Sequence, residues 1–233
     1  MVFNGIQKTS MIDYPGKLSC VLFLSGCNFN CPYCHNPDLA KGCSDYSAFL
    51  EENAVYNFLE TRRNFLDGVV ISGGEPTLKE ELVSICKKIK QTTGYPIKLD
   101  TNGSRPQVIK HLISEGLVDY IAMDIKTDPL HYPLFIKKDY NPDEILESIR
   151  IIMKSDLNYE FRTTCVKPIV DEQVLENIAR LIQGAMLYVI QAFHKVEVLQ
   201  PEFFVDSGTL YSNDELMELK SVVEPWVNKC IVR

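Results

Sequence analysis

Apolar residues run almost unbroken from Leu18 to Leu24, the pattern of a strand buried on both faces of a parallel sheet. Further strands are predicted at Gly68–Ser72, Pro96–Asp100, Asp119–Ile125, Tyr159–Val166 and Met186–Phe193. Between them the apolar period becomes helical. Phe49, Val55, Phe58 and Leu59 mark a helix between Ser47 and Phe65. Leu78, Leu82, Ile85, Cys86 and Ile89 form a stripe behind Thr77 and Glu80, which stand at capping-box spacing. The next helix has Pro106 in its first turn and Gly116 past its end. Another follows Asn141-Pro142 and carries Ile145, Ile149 and Ile152. Asp171 caps a helix that Gly184 ends, and the last opens at Ser212 and Glu215 and stops at Pro225. Cys230–Arg233 reads as a short terminal strand.

Strands alternating with helices imply parallel βαβ units with right-handed crossovers. Six such units fall short of an eight-stranded barrel, so the expected α/β fold is an open, partial (β/α)6 barrel of the TIM type. No repeat, biased tract or linker divides the 233 residues. They are read as one domain, with a short N-terminal extension (1–17) and a C-terminal helix and strand extension (195–233).

Composition narrows the function. The net charge is −7, from 31 acidic and 24 basic residues, which argues against a nucleic-acid surface. No apolar stretch approaches the roughly 20 residues a membrane span needs, and the N-terminus lacks a signal pattern. The expectation is a cytoplasmic protein. Eight cysteines without an export signal point to metal or catalytic thiols, not to disulfides. Cys20, Cys86, Cys165 and Cys230 stand singly in apolar or helical settings and read as buried small hydrophobes.

The unusual residues fall where predicted strands end, the edge on which barrel-like folds gather function. Cys27, Cys31 and Cys34 follow the first strand, Gly73-Gly74-Glu75-Pro76 the second, and Asp100-Thr101-Asn102-Gly103 the third. Asp124 and Lys126 close the fourth, Thr163 and Thr164 lie late in the fifth, and His194 ends the sixth. Each has a plain structural alternative. The Gly-Gly-Glu-Pro run is also an ordinary strand-to-helix turn, and Asn102 also suits a turn closed by its side chain. Asp124 and Lys126 share a strand face and could form a simple surface ion pair. The Thr127–Asn141 loop reads as a solvated connection.

The cysteine spacing C-x3-C-x2-C admits three occupants. Zinc wants four ligands, and the nearby candidates are His35 and Cys43. A dithiol reading uses Cys31-Pro32-Tyr33-Cys34 and leaves Cys27 unemployed. A four-iron cluster on three thiolates leaves one iron open to a small molecule, which asks for a pocket beside it.

The motif Cys27-x3-Cys31-x2-Cys34, with an aromatic residue before the last cysteine, joins Gly73-Gly74-Glu75-Pro76 in resembling the radical S-adenosylmethionine superfamily. The runs Ile12–Lys17, Gly26–Asn28 and Cys31–Pro37 resemble the activating proteins of anaerobic ribonucleotide reductase, and also pyruvate formate-lyase activases. The likeness continues through Asp100–Gly103, Met123–Lys126 and Gln191–His194. It implies a [4Fe–4S] cluster on Cys27, Cys31 and Cys34 whose open iron chelates S-adenosylmethionine. Tyr33 and His35 would flank the adenosyl group. Gly73, Gly74 and Glu75 would hold the methionyl amine, with Asp100, Asn102, Asp124, Lys126 and His194 around the cofactor. The implied reaction is reductive cleavage to a 5′-deoxyadenosyl radical that takes hydrogen from a glycine of a partner enzyme. The implied partners are a glycyl radical enzyme, foremost anaerobic ribonucleotide reductase, and a low-potential donor such as flavodoxin or ferredoxin. The stretch Asn36–Ser47 is too short for the inserted ferredoxin-like domain that some activases carry. The rivals are a small-molecule enzyme of the carboxydeazaguanine synthase kind, a dithiol redox protein and a zinc-held interaction module.

Overall fold

The apolar run after Leu18 forms a strand because both of its faces are covered: five of the six residues Ser19–Leu24 are buried. The computed structural model describes residues 3–42, 50–133, 136–137, 141–194, 197–204 and 210–233. Eight strands run in chain order in one sheet: β1 (Phe3–Ser10), β2 (Ser19–Leu24), β3 (Gly68–Gly73), β4 (Ile97–Thr101), β5 (Tyr120–Asp124), β6 (Asn158–Cys165), β7 (Tyr188–Ala192) and β8 (Cys230–Val232). β1 lies antiparallel to β2, whereas β2 with β3, β3 with β4, β6 with β7 and β7 with β8 pair in parallel. The helices are α1 (Pro37–Lys41), α2 (Glu52–Thr61), α3 (Leu82–Thr93), α4 (Pro106–Ser114), α5 (Pro142–Met153), α6 (Glu172–Leu181) and α7 (Asn213–Val223). The α/β fold with a mostly parallel sheet is the one expected, and all seven predicted strands are present.

The chain packs as two units. The first comprises Met1–Asn28, Asp38–Thr101 and Gln107–Ile121. Here β2 and β3 run in register from Ser19 opposite Gly68 to Leu24 opposite Gly73. Leu22, Ile71 and Ile97 from the strands and Leu82, Ile85 and Ile89 from α3 are fully buried. Those three α3 residues recur at helical spacing, so one stripe supplies the helix's share of the core. Gly94 ends α3 in the left-handed conformation that a side chain would disfavour.

The second unit comprises Phe29–Pro37, Asn102–Pro106 and Ala122–Arg233. Phe161 on β6 lies opposite Tyr188 on β7, and both are fully buried. Ile145, Ile149 and Ile152 of α5, and Leu175 and Ile178 of α6, are buried as well. The Asn141 side chain caps α5 by accepting from Asp143 N, and Asp171 caps α6 by accepting from Val174 N.

Three features differ from expectation. β1 and the short helix α1 had no predicted counterpart. The capping box expected at Thr77 and Glu80 does not form. Glu75 instead caps a 3₁₀ turn, Pro76–Leu78, and α3 begins only at Leu82. Cys43 and parts of the Thr127–Asn141 loop (134–135 and 138–140) lie outside the described residues. Among the described residues no helix is long and apolar enough to cross a membrane.

Candidate active site

In the first unit the segment after β2 is held by main-chain bonds. Gly26 N donates to Leu39 O at 2.6 Å and Cys27 N to Ala40 O at 3.1 Å, fixing the backbone of the first cysteine. Gly74 N donates to Leu24 O and Glu75 N to Gly26 O, each at 2.8 Å, which carries the β2–β3 pairing past the strand ends. The two glycines are required for this approach. A Cβ on Gly73 (φ +126°) would collide with Leu24 O, and one on Gly74 with Gly26 O.

Glu75 is buried, and its Oε1 accepts from Thr77 N at 3.1 Å, from the Thr77 hydroxyl and from the Thr101 hydroxyl at 2.8 Å. The carboxylate thus ties the turn after β3 to the end of β4. Asp100, also at the end of β4, pairs with the ammonium of Lys98, which is fully buried and lies 6.0 Å from the Tyr120 ring centroid.

In the second unit Cys31 is buried and Cys34 half-buried, with Cys34 N donating to Cys31 O at 3.0 Å. Tyr33 between them is buried and donates its hydroxyl to Lys126 O at 3.3 Å. Burial, reinforced by charge at Cys31, Tyr132, Asp124 and Cys34, holds that hydroxyl far above its ordinary pKa, so it stays a neutral donor. His35 stacks on Phe193 at 5.5 Å and 19°, and Phe193 stacks on Phe204 at 5.2 Å. Burial, then Lys126 and His194, push the His35 pKa down and favour the neutral imidazole. His194 itself is exposed. Asn102 is buried, and its Oδ1 accepts from Ser104 N at 2.9 Å, a turn closed by its side chain.

Asp124 and Lys126 are no surface pair. Lys126 Nζ donates to Asp124 Oδ2 at 2.9 Å, and Arg162 Nε on β6 donates to Asp124 Oδ1 at 2.6 Å. Burial opposes the Asp124 charge, yet Arg162 and Lys126 hold its carboxyl well below the usual carboxylate range. Burial likewise opposes the Lys126 ammonium, but Asp124, Cys31 and Cys34 raise it above the ordinary lysine value. This cation feels the two cysteine sulfurs as well as the aspartate. Arg162 escaped the sequence reading. Its one signal was a cation in an otherwise well-buried strand, and its meaning depends on the approach of β5 to β6, where Ile125 N donates to Arg162 O.

A cavity of about 490 Å³ is walled by Pro133, Pro168, Ile169, Val174 and Phe203. Asp128 also lines it, but its carboxylate is occupied by Leu130 N, Asn177 Nδ2 and His131 Nδ1. Thr163, late in β6, is buried and bonds Ile125 O and the Tyr188 hydroxyl. Among the described residues Cys20, Cys34, Cys86, Cys165 and Cys230 are free thiols. Among the described residues no three His, Cys, Asp or Glu side chains converge closely enough to hold a single metal ion.

Comparison with known proteins adds an independent line. The sequence profile of the Radical SAM superfamily matches residues 21–182. A Methanocaldococcus jannaschii protein, provisionally named a glycyl-radical enzyme activating enzyme, is 36% identical over 99% of this chain and 95% of its own. The pyruvate formate-lyase-activating enzyme of Clostridium pasteurianum is 29% identical over 53% of this chain and 51% of its own. Among solved structures, Streptococcus suis SuiB bound to S-adenosylmethionine superposes with a TM-score of 0.65 at 13% identity. That match covers 89% of this chain and 48% of SuiB, so the chain spans about half the length of that structure.

Proposed function

The chain belongs to the radical SAM superfamily, whose members carry a [4Fe–4S] cluster and S-adenosylmethionine, and from that premise we propose that it is a glycyl radical enzyme activase. Its most fitting target is anaerobic ribonucleotide reductase. The observation that carries the reading is the likeness to an activating enzyme along almost the full length of both chains. The donor chemistry fits the cluster. Three cysteines stand on one short loop, and two of them, Cys31 and Cys34, lie near enough to the Lys126 ammonium to raise its pKa. We assign Cys27, Cys31 and Cys34 as the cluster ligands and residues 1–233 as one radical SAM domain acting in the cytoplasm.

When bound, the cluster supplies one electron, and S-adenosylmethionine supplies the 5′-deoxyadenosyl group that takes a hydrogen atom. The chain's own residues place and shield that chemistry. Gly73, Gly74 and the Glu75 main chain would receive the methionyl end, on a turn that the Glu75 carboxylate holds through Thr77 and Thr101. Asp124 and Lys126, paired at 2.9 Å, would offer their charges to the cofactor, with Asp100, Asn102 and His194 as further polar contacts. Tyr33 and His35 would flank the adenosyl group, Tyr33 held by its bond to Lys126 O and His35 by the Phe193 ring.

The test is direct. Protein reconstituted anaerobically should hold about four irons per chain. After reduction by flavodoxin or ferredoxin, it is incubated with S-adenosylmethionine and candidate glycyl radical enzymes, anaerobic ribonucleotide reductase first. A glycine-centred doublet in the electron spin resonance spectrum is the expected result. A panel of such enzymes that yields no doublet overturns the activase reading in favour of a small-molecule substrate.

A further inference from the structure

Behind Asp124 and Lys126 runs a line of charge that the proposed function does not use. Arg162 lies between two carboxylates, with Nε 2.6 Å from Asp124 Oδ1 and Nη1 3.8 Å from Glu160 Oε1. Asp124 holds Lys126 on its other oxygen at 2.9 Å. On its far side Glu160 is gripped by Arg233, with Nη1 3.3 Å from Oε1 and Nη2 3.1 Å from Oε2. The signs alternate from Lys126 through Asp124, Arg162 and Glu160 to Arg233.

The middle of this line is buried and its end is not. The Glu160 side chain is 1% exposed and that of Arg233 is 38% exposed. A buried carboxylate is costly unless paired and hydrogen-bonded, and a guanidinium fork with one nitrogen on each oxygen is the geometry that pairs it best. The fork is held in place by the sheet: Arg233 N donates to Ile190 O at 2.9 Å, and Arg233 O accepts from Ala192 N at 2.8 Å. Glu160 and Arg162, two apart on β6, point to the same face. Without Arg233, Glu160 would draw Arg162 toward itself. Closing the 3.8 Å gap would shift the guanidinium toward Glu160 and loosen its seat on Asp124.

We propose that Arg233 and Glu160 are positioning residues, which act through Arg162 to hold the Asp124–Lys126 pair in its cofactor-binding geometry. The proposal rests on the reading that this pair contacts S-adenosylmethionine. Arg233 neutralises Glu160 and so releases Arg162 to orient Asp124; the edge of the fold thereby sets affinity at the site.

The experiment measures S-adenosylmethionine binding by equilibrium dialysis on reconstituted, unreduced protein, with iron content and melting temperature recorded for every variant. Arg233→Ala should weaken binding about tenfold with iron content unchanged. Arg233→Lys keeps the charge, loses the fork and should fall between, and it carries the test if the alanine variant fails to fold. Adding Glu160→Gln to Arg233→Ala should restore most of the affinity, because the Glu160 charge then no longer pulls on Arg162. A purely structural role predicts no such rescue. Wild-type affinity in both Arg233 variants, or a double variant no better than Arg233→Ala, overturns the proposal. Asp124→Asn separates the two claims. If it binds as tightly as wild type, the site reading falls and takes the relay with it. If it binds weakly while the Arg233 variants do not, the relay alone falls.

Discussion

The surroundings of the cysteines divide them into two classes. Burial pushes the Cys20, Cys86 and Cys165 thiols up to about 12 and that of Cys230 up to about 11. A thiol so protected has almost no thiolate at neutral pH and so almost no reactivity. Cys27 and Cys34 are half-buried on their loop. Brief iodoacetamide treatment of the folded, metal-free protein should therefore label Cys27 and Cys34 and spare those four until denaturant is added. Mass spectrometry of the digested protein reads the pattern, and early label on Cys20 or Cys86 would contradict it. These four thiols were legible from sequence because they stand singly in apolar or helical stretches. Arg162 was not, since nothing in its own strand names Asp124 as its partner. Nor was the occupation of Glu75 Oε1, which depends on Thr101 at the end of another strand.

At the level of the element, two stretches with the same local pattern part company. Ser212 and Glu215 form a full capping box at the start of α7. Thr77 and Glu80 have the same spacing, yet Glu75, two residues upstream, takes both the Thr77 N–H and its hydroxyl. A local propensity lost to a neighbour that the motif leaves out. β1 was missed for a different reason. It is a sheet-edge strand with an exposed centre, Gln7–Thr9, and its pairing with β2 shifts register twice, so no apolar alternation announces it. The α7 cap supports a pH prediction. A bond from Lys167 and the bonds to Ser212 lower the Glu215 pKa to about 2. The folded pKa lies below the unfolded one, so the carboxylate's contribution is complete above the ordinary glutamate pKa of about 4.3 and is lost as pH falls toward 2. Glu215→Gln should lower stability at pH 7 and flatten its acid dependence between those limits. Urea unfolding at stepped pH checks this; parallel curves for the two proteins would exclude the bond as a contributor.

At the scale of the whole molecule, the sequence carried the fold because short apolar runs such as β2 and β3 alternate with helical stripes, although β6 mixes polar with apolar residues. The target is another matter. The likeness to SuiB at 13% identity speaks to the fold alone, and the substrate is chosen by the site built on it. The cysteine loop and the Gly73–Glu75 turn were legible because their residue types and spacing stand out over a few consecutive positions. The hydrogen atom decides the matter. An activase takes one hydrogen from one glycine and leaves the radical on the partner, so 5′-deoxyadenosine formation should stop once each partner site is converted. A small-molecule enzyme instead releases a product and turns over again. Partner protein made with α-deuterated glycine should therefore pass deuterium into 5′-deoxyadenosine, with one labelled molecule for each glycyl radical counted by spin resonance. If 5′-deoxyadenosine is unlabelled and accumulates beyond one per partner site, the hydrogen comes from elsewhere and the chain is not an activase of that partner.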